Sequence, residues 1–213
     1  MVATLEKTNG HVETIGQVSD DANLLIEMSA PYVVSVSVEG ICPLLFHRWS
    51  NEDVAEKAAA KKGSAAKKTD NVEAYVYRCP DGTIGIPGVY LKGAIAGPQG
   101  AAKYRQDPRS SRKSALDLYK AGVHVLTDVA TLGKAEWDFL DQRRVTVQRA
   151  GITRTRPAML AGWKATFELQ VLTPEYIPPA DLLAVVGEAG RLIGVADFRP
   201  TYGRFQVTAF DLI

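Results

Sequence analysis

The residues best suited to chemistry in this 213-residue chain lie in two glycine-rich segments that are far apart in the sequence. One is Gly85–Gly93, which contains Lys92, and the other is Gly194–Phe205, which contains Arg199 and Arg204. Small residues let a polymer backbone approach closely, and cations and aromatic rings can hold its phosphates and bases. Neither segment is a nucleotide-triphosphate loop, because the first lacks a Gly-Lys-Ser/Thr ending and the second lacks G-x-G-x-x-G spacing. The pair predicts a nucleic-acid surface, and no cofactor is expected.

Charge is segregated along the chain although the net charge is only +1. Residues 57–164 hold 20 Lys/Arg against nine Asp/Glu, a net charge of +11, while residues 1–56 and 165–213 together carry −10. A separated field of this kind can steer a polyanion toward a nearly neutral protein. The alternative is that loops of the middle region collect lysines for solubility.

Cations and aromatic residues supply the candidate contacts to nucleic acid. Phosphate contacts need positive charge without exact pairing, and a strand can carry arginines along a nucleic-acid backbone. Phe198 and Tyr202 are candidate stacking surfaces, as are Tyr75 and Tyr77, although one of the latter two is expected in the core. Lys92 could instead cap or snorkel from its helix. The candidate cations are Arg48, Lys92, Arg105, Arg112, Lys113, Arg143, Arg144, Arg149, Arg154, Arg156, Arg199 and Arg204.

His47 is the histidine best placed for catalysis, because His11 lies in a polar arm and His124 alternates within an apolar strand, where a packed side chain is expected. A histidine can act as a general base near pH 7. Beside Arg48 and Trp49, however, His47 suits stacking and phosphate contact equally well, so we expect it in the binding surface.

Metal sites are not expected. Cys42 and Cys79 form no metal-binding spacing. Four acidic residues could imitate a metal site, but their irregular spacing favours a solvated face; they are Asp128, Glu136, Asp138 and Asp141. The N-terminus lacks a signal-peptide pattern and no apolar run approaches 18 residues, so we expect a cytoplasmic protein without a membrane partner.

The predicted helices and strands that position these residues indicate an α+β domain. Strands are predicted at Tyr32–Gly40, from Trp163 to Leu172 and from Arg204 to Leu212, where β-branched or aromatic residues alternate with polar ones. Helices are predicted from Gly88 to Ala96 and from Pro179, the second with Leu182, Leu183, Val186 and Leu192 on its apolar face. Further elements are a helix over residues 51–62, a hairpin joining 72–77 to 83–86, a helix over 114–121 and strands over 123–126 and 143–149.

This order fits one domain with a ferredoxin-like βαββαβ core, a mainly antiparallel sheet and helices on one face. A loose arm is expected over residues 1–22 and a mobile Lys/Ala loop over 57–70, where no apolar face exists. A long basic insertion is expected over residues 97–162.

Two segments resemble motifs of the CRISPR-associated RAMP superfamily. Ile86–Gly93, with sequence I-P-G-V-Y-L-K-G, resembles that family's I-P-G-S-S-L-K-G segment, with Val89 and Tyr90 in place of the two serines. Residues 194–205 resemble its glycine-rich loop, although the Gly-Gly pair is missing. The resemblance implies a modified RRM-like, ferredoxin-like fold that binds single-stranded RNA, as in the repeated backbone subunits of CRISPR effector complexes. A phage or mobile-element relative could hold single-stranded DNA.

The sequence therefore favours a non-catalytic protein that binds single-stranded RNA, guide RNA or DNA and assembles as copies or subunits along the strand. The first alternative is a RAMP-like, metal-independent endoribonuclease that uses His47. The second is a protein-binding module, for instance an inhibitor that mimics such a subunit.

Overall fold

A computed structural model describes residues 30–48, 59, 71–147 and 150–213. Within these ranges, its strands are β1 Tyr32–Gly40, β2 Leu44–Leu45, β3 Tyr77–Arg78, β4 Ile84–Pro87, β5 Val123–Val125, β6 Val129–Thr131, β7 Phe139–Val147, β8 Ala150–Met159, β9 Lys164–Val171 and β10 Phe205–Leu212. Its α-helices are α1 Gly88–Ala96, α2 Leu116–Gly122 and α3 Pro179–Glu188. The predicted arm (1–22), helix (51–62) and Lys/Ala loop (57–70) lie outside the described residues, apart from the isolated residue 59.

The central sheet has four antiparallel strands in the order β10-β1-β9-β5. Since β5 follows α1 and α2, and α3 connects β9 to β10, this order is that of a ferredoxin-like βαββαβ core. The predicted α+β class, mainly antiparallel sheet and ferredoxin-like core are thereby confirmed.

Strict alternation along the strands gives this sheet one apolar face and one polar face. In β1, Val34, Val36 and Val38 are buried, and in β9 Phe167 and Leu169 are buried. These side chains share one hydrophobic core with Leu91 and Ile95 of α1, Leu118 of α2, and Leu182, Val185 and Val186 of α3. The helices therefore cover a single face of the sheet, as the alternation predicts.

The helix boundaries follow from proline and glycine. Pro87 precedes α1 and Gly97 ends it in an extended conformation, while Pro178 and Pro179 begin α3 with the fixed φ that suits a first turn. The predicted apolar face of α3 was partly wrong. Leu183 is 40% exposed and Leu192 50% exposed, and Val185 takes the buried position. A π-turn at Ala189–Ile193 shifts the periodicity after Glu188.

Between β5 and β9, residues 126–163 supply β6 to one small sheet, β3-β4-β6, and β7 and β8 to another, β2-β8-β7. The long β7–β8 hairpin pairs Asp141 with Arg156 and Arg143 with Arg154. Of the predicted basic insertion (97–162), the part before residue 126 contributes α2 and β5 to the core. The predicted hairpin arm 72–77 is shorter than expected, because Glu73–Tyr75 form a 3-10 turn before β3.

Candidate nucleic-acid interface

The two glycine-rich segments meet in space and form one groove. Its narrow part is a cleft of about 190 Å³ lined by His47, Tyr90 of α1, and the loop residues Asp197 and Arg199. Its wide part is a cleft of about 780 Å³. Gly93, Ala196, Asp197 and Arg199 line both parts, so the two clefts adjoin along these residues. The structure thus brings together residues that the sequence singled out separately.

The glycine-rich loop is held by backbone bonds at its base. The amide of Val195 donates to the carbonyl of Gly203 at 2.9 Å, and the amide of Gly203 donates to Pro43 at 2.9 Å. Gly203 has φ +72°, and a Cβ there would lie 1.9 Å from the carbonyl oxygen of Val195. Glycine is therefore required at this closure. The amide of Asp197 also donates to Leu45 at 3.1 Å, which ties the loop to β2.

Arginines of the β7–β8 hairpin pack against the loop's aromatic rings. The guanidinium of Arg143 lies 4.6 Å from the ring centre of Tyr202 and 5.7 Å from that of Phe198, and it donates to the Tyr202 hydroxyl. The guanidinium of Arg156 lies 5.3 Å from the Phe198 ring. Cation–π contacts of this kind fix the loop against the hairpin. Phe198 and Tyr202 therefore already stack on protein cations.

Two of these arginines are also ion-paired. Arg156 is buried, and its Nε donates to Asp197 at 2.6 Å. The Nε of Arg143 donates to Asp141 at 2.8 Å. Asp141 is 9% exposed, so the solvated face predicted for it was wrong: it is a buried partner of an arginine. Arg143, Arg154 and Arg156 share one face of the hairpin with Asp141, since opposite residues of antiparallel strands point the same way.

The rim at His47 is aromatic. The His47 ring packs edge-on against Tyr75, with 4.7 Å between ring centres. Arg48 lies over the Tyr77 ring at 5.0 Å, and Tyr77 packs edge-on against Tyr90 at 5.7 Å. Tyr75 is buried and Tyr77 half-buried, so the expected core position belongs to Tyr75. His47 is half-buried within the groove lining and Arg48 is exposed at its edge.

Lys92 has the capping role that was the alternative to phosphate contact. Its ammonium donates to the carbonyls of Tyr119 and Lys120 at 3.0 and 2.9 Å and to that of Val123. These carbonyls end α2, whose last-turn acceptors favour a cation. Burial, with a smaller effect of the Lys120 charge, lowers the pKa of Lys92. Lys92 therefore points away from the groove.

Of the remaining predicted cations that the structure describes, only Arg199 lines the groove. Arg105 is ion-paired with Glu188 at 3.0 Å. Arg112, Lys113, Arg144 and Arg204 are exposed, and Arg154 is half-exposed on the hairpin. Arg149 lies outside the described residues. Arg199 differs from all of these, because it is exposed, lines both clefts and forms no ion pair within the ranges that the structure describes.

The open face of the central sheet is polar and mildly acidic. It presents Ser35, Ser37, Glu39, Lys164, Thr166, Glu168, Gln170 and Asp211, none of them aromatic. His124 also lies there, exposed, so the packed position expected for it was wrong. RRM domains stack bases on aromatic rings of this face. The described residues of this sheet face include no such ring.

Sequence reasoning did not identify Tyr104 and Gln99, which line the wide cleft. Tyr104 is 65% exposed and its ring has no aromatic or cationic contact within the described ranges. The available signal was its position, Lys103-Tyr104-Arg105, an aromatic residue between two cations. Among the described residues, His, Cys, Asp and Glu side chains form no group of three that could hold a metal ion. No described helix is both long and apolar enough to cross a membrane.

Comparison with known proteins found a weak structural similarity. No protein-family model matches the chain, and no curated protein matches it. The chain resembles a chain of the solved structure "Cryo-EM structure of the Type III-B Cmr-beta bound to cognate target RNA", with a TM-score of 0.43 and 11% sequence identity. The similarity covers 91% of this chain and 64% of that one, so this chain spans less than two thirds of its length.

Proposed function

We propose that this protein binds single-stranded nucleic acid in the groove between the I-P-G segment and the glycine-rich loop. The observation that carries the proposal is the convergence of Gly93 and the loop 196–199 around Arg199. Gly93 and Gly97 leave room for a polymer backbone to approach, and Arg199 supplies a cation that no carboxylate among the described residues neutralises. The two segments that form the groove are those that resemble RAMP motifs, and single-stranded RNA is the ligand that this resemblance favours.

The test is a binding titration with labelled single strands and matched duplexes. Release of counterions from single strands lowers log K by about 0.7 per unit of log salt for each phosphate contacted. We expect Arg199→Gln to weaken binding and to make this slope shallower by about 0.7, the value for one phosphate contact. Arg191→Gln, an exposed arginine outside the groove, is the matched control. A flat salt titration of the unmodified protein between about 50 and 300 mM would refute the proposal.

We propose further that binding is not accompanied by cleavage. The carboxylate in the narrow cleft, Asp197, is engaged by Arg156 at 2.6 Å, and His47 packs edge-on against Tyr75. This environment suits a contact residue. Incubation with structured and unstructured RNA should give no defined fragments. A specific fragment that disappears in His47→Ala would establish the endoribonuclease alternative.

Assembly along the strand is the third part of the proposal. Residues 57–164 carry a net charge of +11, while the segments on either side of them together carry −10. These opposite charges suit a head-to-tail contact between copies, which makes open filaments when its rotation does not close. Light scattering should show complexes that grow with strand length. A 1:1 complex on strands of every length would show that the protein binds as a single module and does not assemble. If the protein binds no nucleic acid but is captured by a CRISPR complex, the inhibitor alternative is favoured.

A further inference from the structure

We infer that the wide cleft is a slot for one unstacked nucleobase, a position on the protein where the bound strand is contacted through a base and not only through its phosphates. The inference rests on the proposed function and goes beyond it, since phosphate binding alone requires no such slot.

The first observation is that the wide cleft exposes apolar side chains in a concave setting. Tyr104 is 65% exposed, Leu192 50% and Phe198 38%, and all three line the cleft. Exposed aromatic and aliphatic side chains that face one another across a cavity indicate a ligand with an apolar surface. The cleft volume of about 780 Å³ lies in the range of small-molecule sites.

The second observation is that the other aromatic rings near the groove are already in use. Tyr202 carries Arg143 at 4.6 Å, Tyr77 carries Arg48 at 5.0 Å, and Tyr75 is buried. Tyr104 is the most exposed ring of the groove, and among the described residues neither an aromatic ring nor a cation contacts it. Every nucleobase offers a π-face to such a ring, which makes the contact tolerant of sequence.

The third observation concerns the polar groups around Tyr104. Gln99 is exposed and lines the same cleft, and an amide can hydrogen-bond to the edge of an unstacked base. Arg199 lies where the wide and narrow clefts join. A nucleotide with its phosphate at Arg199 would direct its base toward Tyr104 and Gln99 and its strand toward His47.

The experiment compares a short uridine RNA strand with an abasic RNA strand that has the same number of phosphates. The unmodified protein should bind the abasic strand roughly five- to one-hundred-fold more weakly, the loss expected for a base–aromatic stack. Tyr104→Ala should weaken binding of the uridine strand and leave binding of the abasic strand nearly unchanged, because an abasic strand offers the ring no base to contact. Tyr104 is exposed, so the variant should melt as the unmodified protein does. Tyr176→Ala, which removes a tyrosine 40% exposed elsewhere, should bind both strands normally.

Equal affinity of the unmodified protein for the two strands, with the expected salt dependence, would overturn the base slot and leave the proposed function intact. An equal loss on both strands in Tyr104→Ala would also overturn the slot. Failure of the unmodified protein to bind either strand would overturn both.

Discussion

Replacing Lys92 with methionine separates a structural lysine from a phosphate-binding one. The ammonium donates to three carbonyls at the end of α2, two of them at 3.0 and 2.9 Å. Methionine keeps the apolar stem and removes the donor. The variant should therefore lose stability and keep its affinity for single strands.

The size of the effect follows from the bonds lost. A hydrogen bond from a charged donor contributes about 1.5–3 kcal/mol net, and the favourable placement of a cation at a helix C-terminus adds about 0.3–1 kcal/mol. Lys92 is half-buried, and water can reach part of this cluster after the substitution. We therefore expect a net loss of about 2 kcal/mol, which for a domain of this size corresponds to roughly 4–8 °C in Tm.

Urea denaturation monitored by circular dichroism measures the loss, with a lower midpoint and an unchanged m-value expected. Lys120→Met is the control: it removes the same charge from the exposed last turn of α2 and should change stability by less than about 0.5 kcal/mol. If Lys92→Met unfolds normally but binds single strands with a reduced salt slope, Lys92 contacts phosphate and the capping assignment is refuted.

Three further predictions concern the loop, the hairpin and the acid limit of stability. Gly203→Ala should destabilise the protein by about 3 kcal/mol, because its Cβ would lie 1.9 Å from the Val195 carbonyl oxygen. Gly133 also has a positive φ but lies in open space, so Gly133→Ala should cost about 1 kcal/mol. Similar urea midpoints for the two variants would contradict this account of the loop. Arg156→Met should destabilise the protein by about 1–3 kcal/mol because it leaves Asp197 without its cation. Asp197→Asn in the Arg156→Met background should then cost little more stability. If the losses of the two single variants instead add in the double variant, the two residues are not energetically coupled. Hydrogen bonds from the Arg109 side chain and amide hold the pKa of Asp107 at about 2, so its contribution to stability should be complete above pH 3.8 and lost as the pH falls through 2. Asp107→Asn should accordingly show a shallower loss of stability between those values, and an unchanged pH profile would show that the ion pair contributes nothing.

Local patterns predicted the elements that local physics determines. A few neighbouring residues were enough to predict several elements, and the structure confirms them. These signals are the alternation in β1 and β9, Pro87 and Gly97 around α1, and the prolines at the start of α3. Leu192 was wrongly placed on the apolar face because the π-turn at Ala189–Ile193 changes the residue spacing, whereas within α3 the buried face runs through Leu182, Val185 and Val186 at ordinary helical spacing and leaves Leu183 outside.

Pairing across the fold could not be inferred from spacing. Asp141 and Asp197 neutralise Arg143 and Arg156, so two predicted phosphate contacts are ion-paired in the structure. Lys92 reaches carbonyls 27 to 31 residues away in sequence, and no local pattern encodes that reach. Tyr104 is a candidate base contact because the tertiary structure brings its 3-10 turn to the same cleft as the glycine-rich loop, and no local pattern predicts that proximity.

The most direct test of the central claim is to fill the groove without disturbing the fold. Gly93 lies on α1 and lines both clefts, and a Cβ added there meets no atom within 4 Å. Leucine is favoured over glycine in a helix by roughly 0.8 kcal/mol, so Gly93→Leu should fold at least as well as the unmodified protein. Gly187→Leu is the matched control, since Gly187 lies on α3 outside the groove and also has open space around it.

Affinity for a labelled single strand at fixed salt is the quantity to measure for these two variants. The account predicts that Gly93→Leu loses binding at least tenfold while Gly187→Leu binds as the unmodified protein does. Equal, undiminished binding by both variants would show that single strands do not occupy this groove.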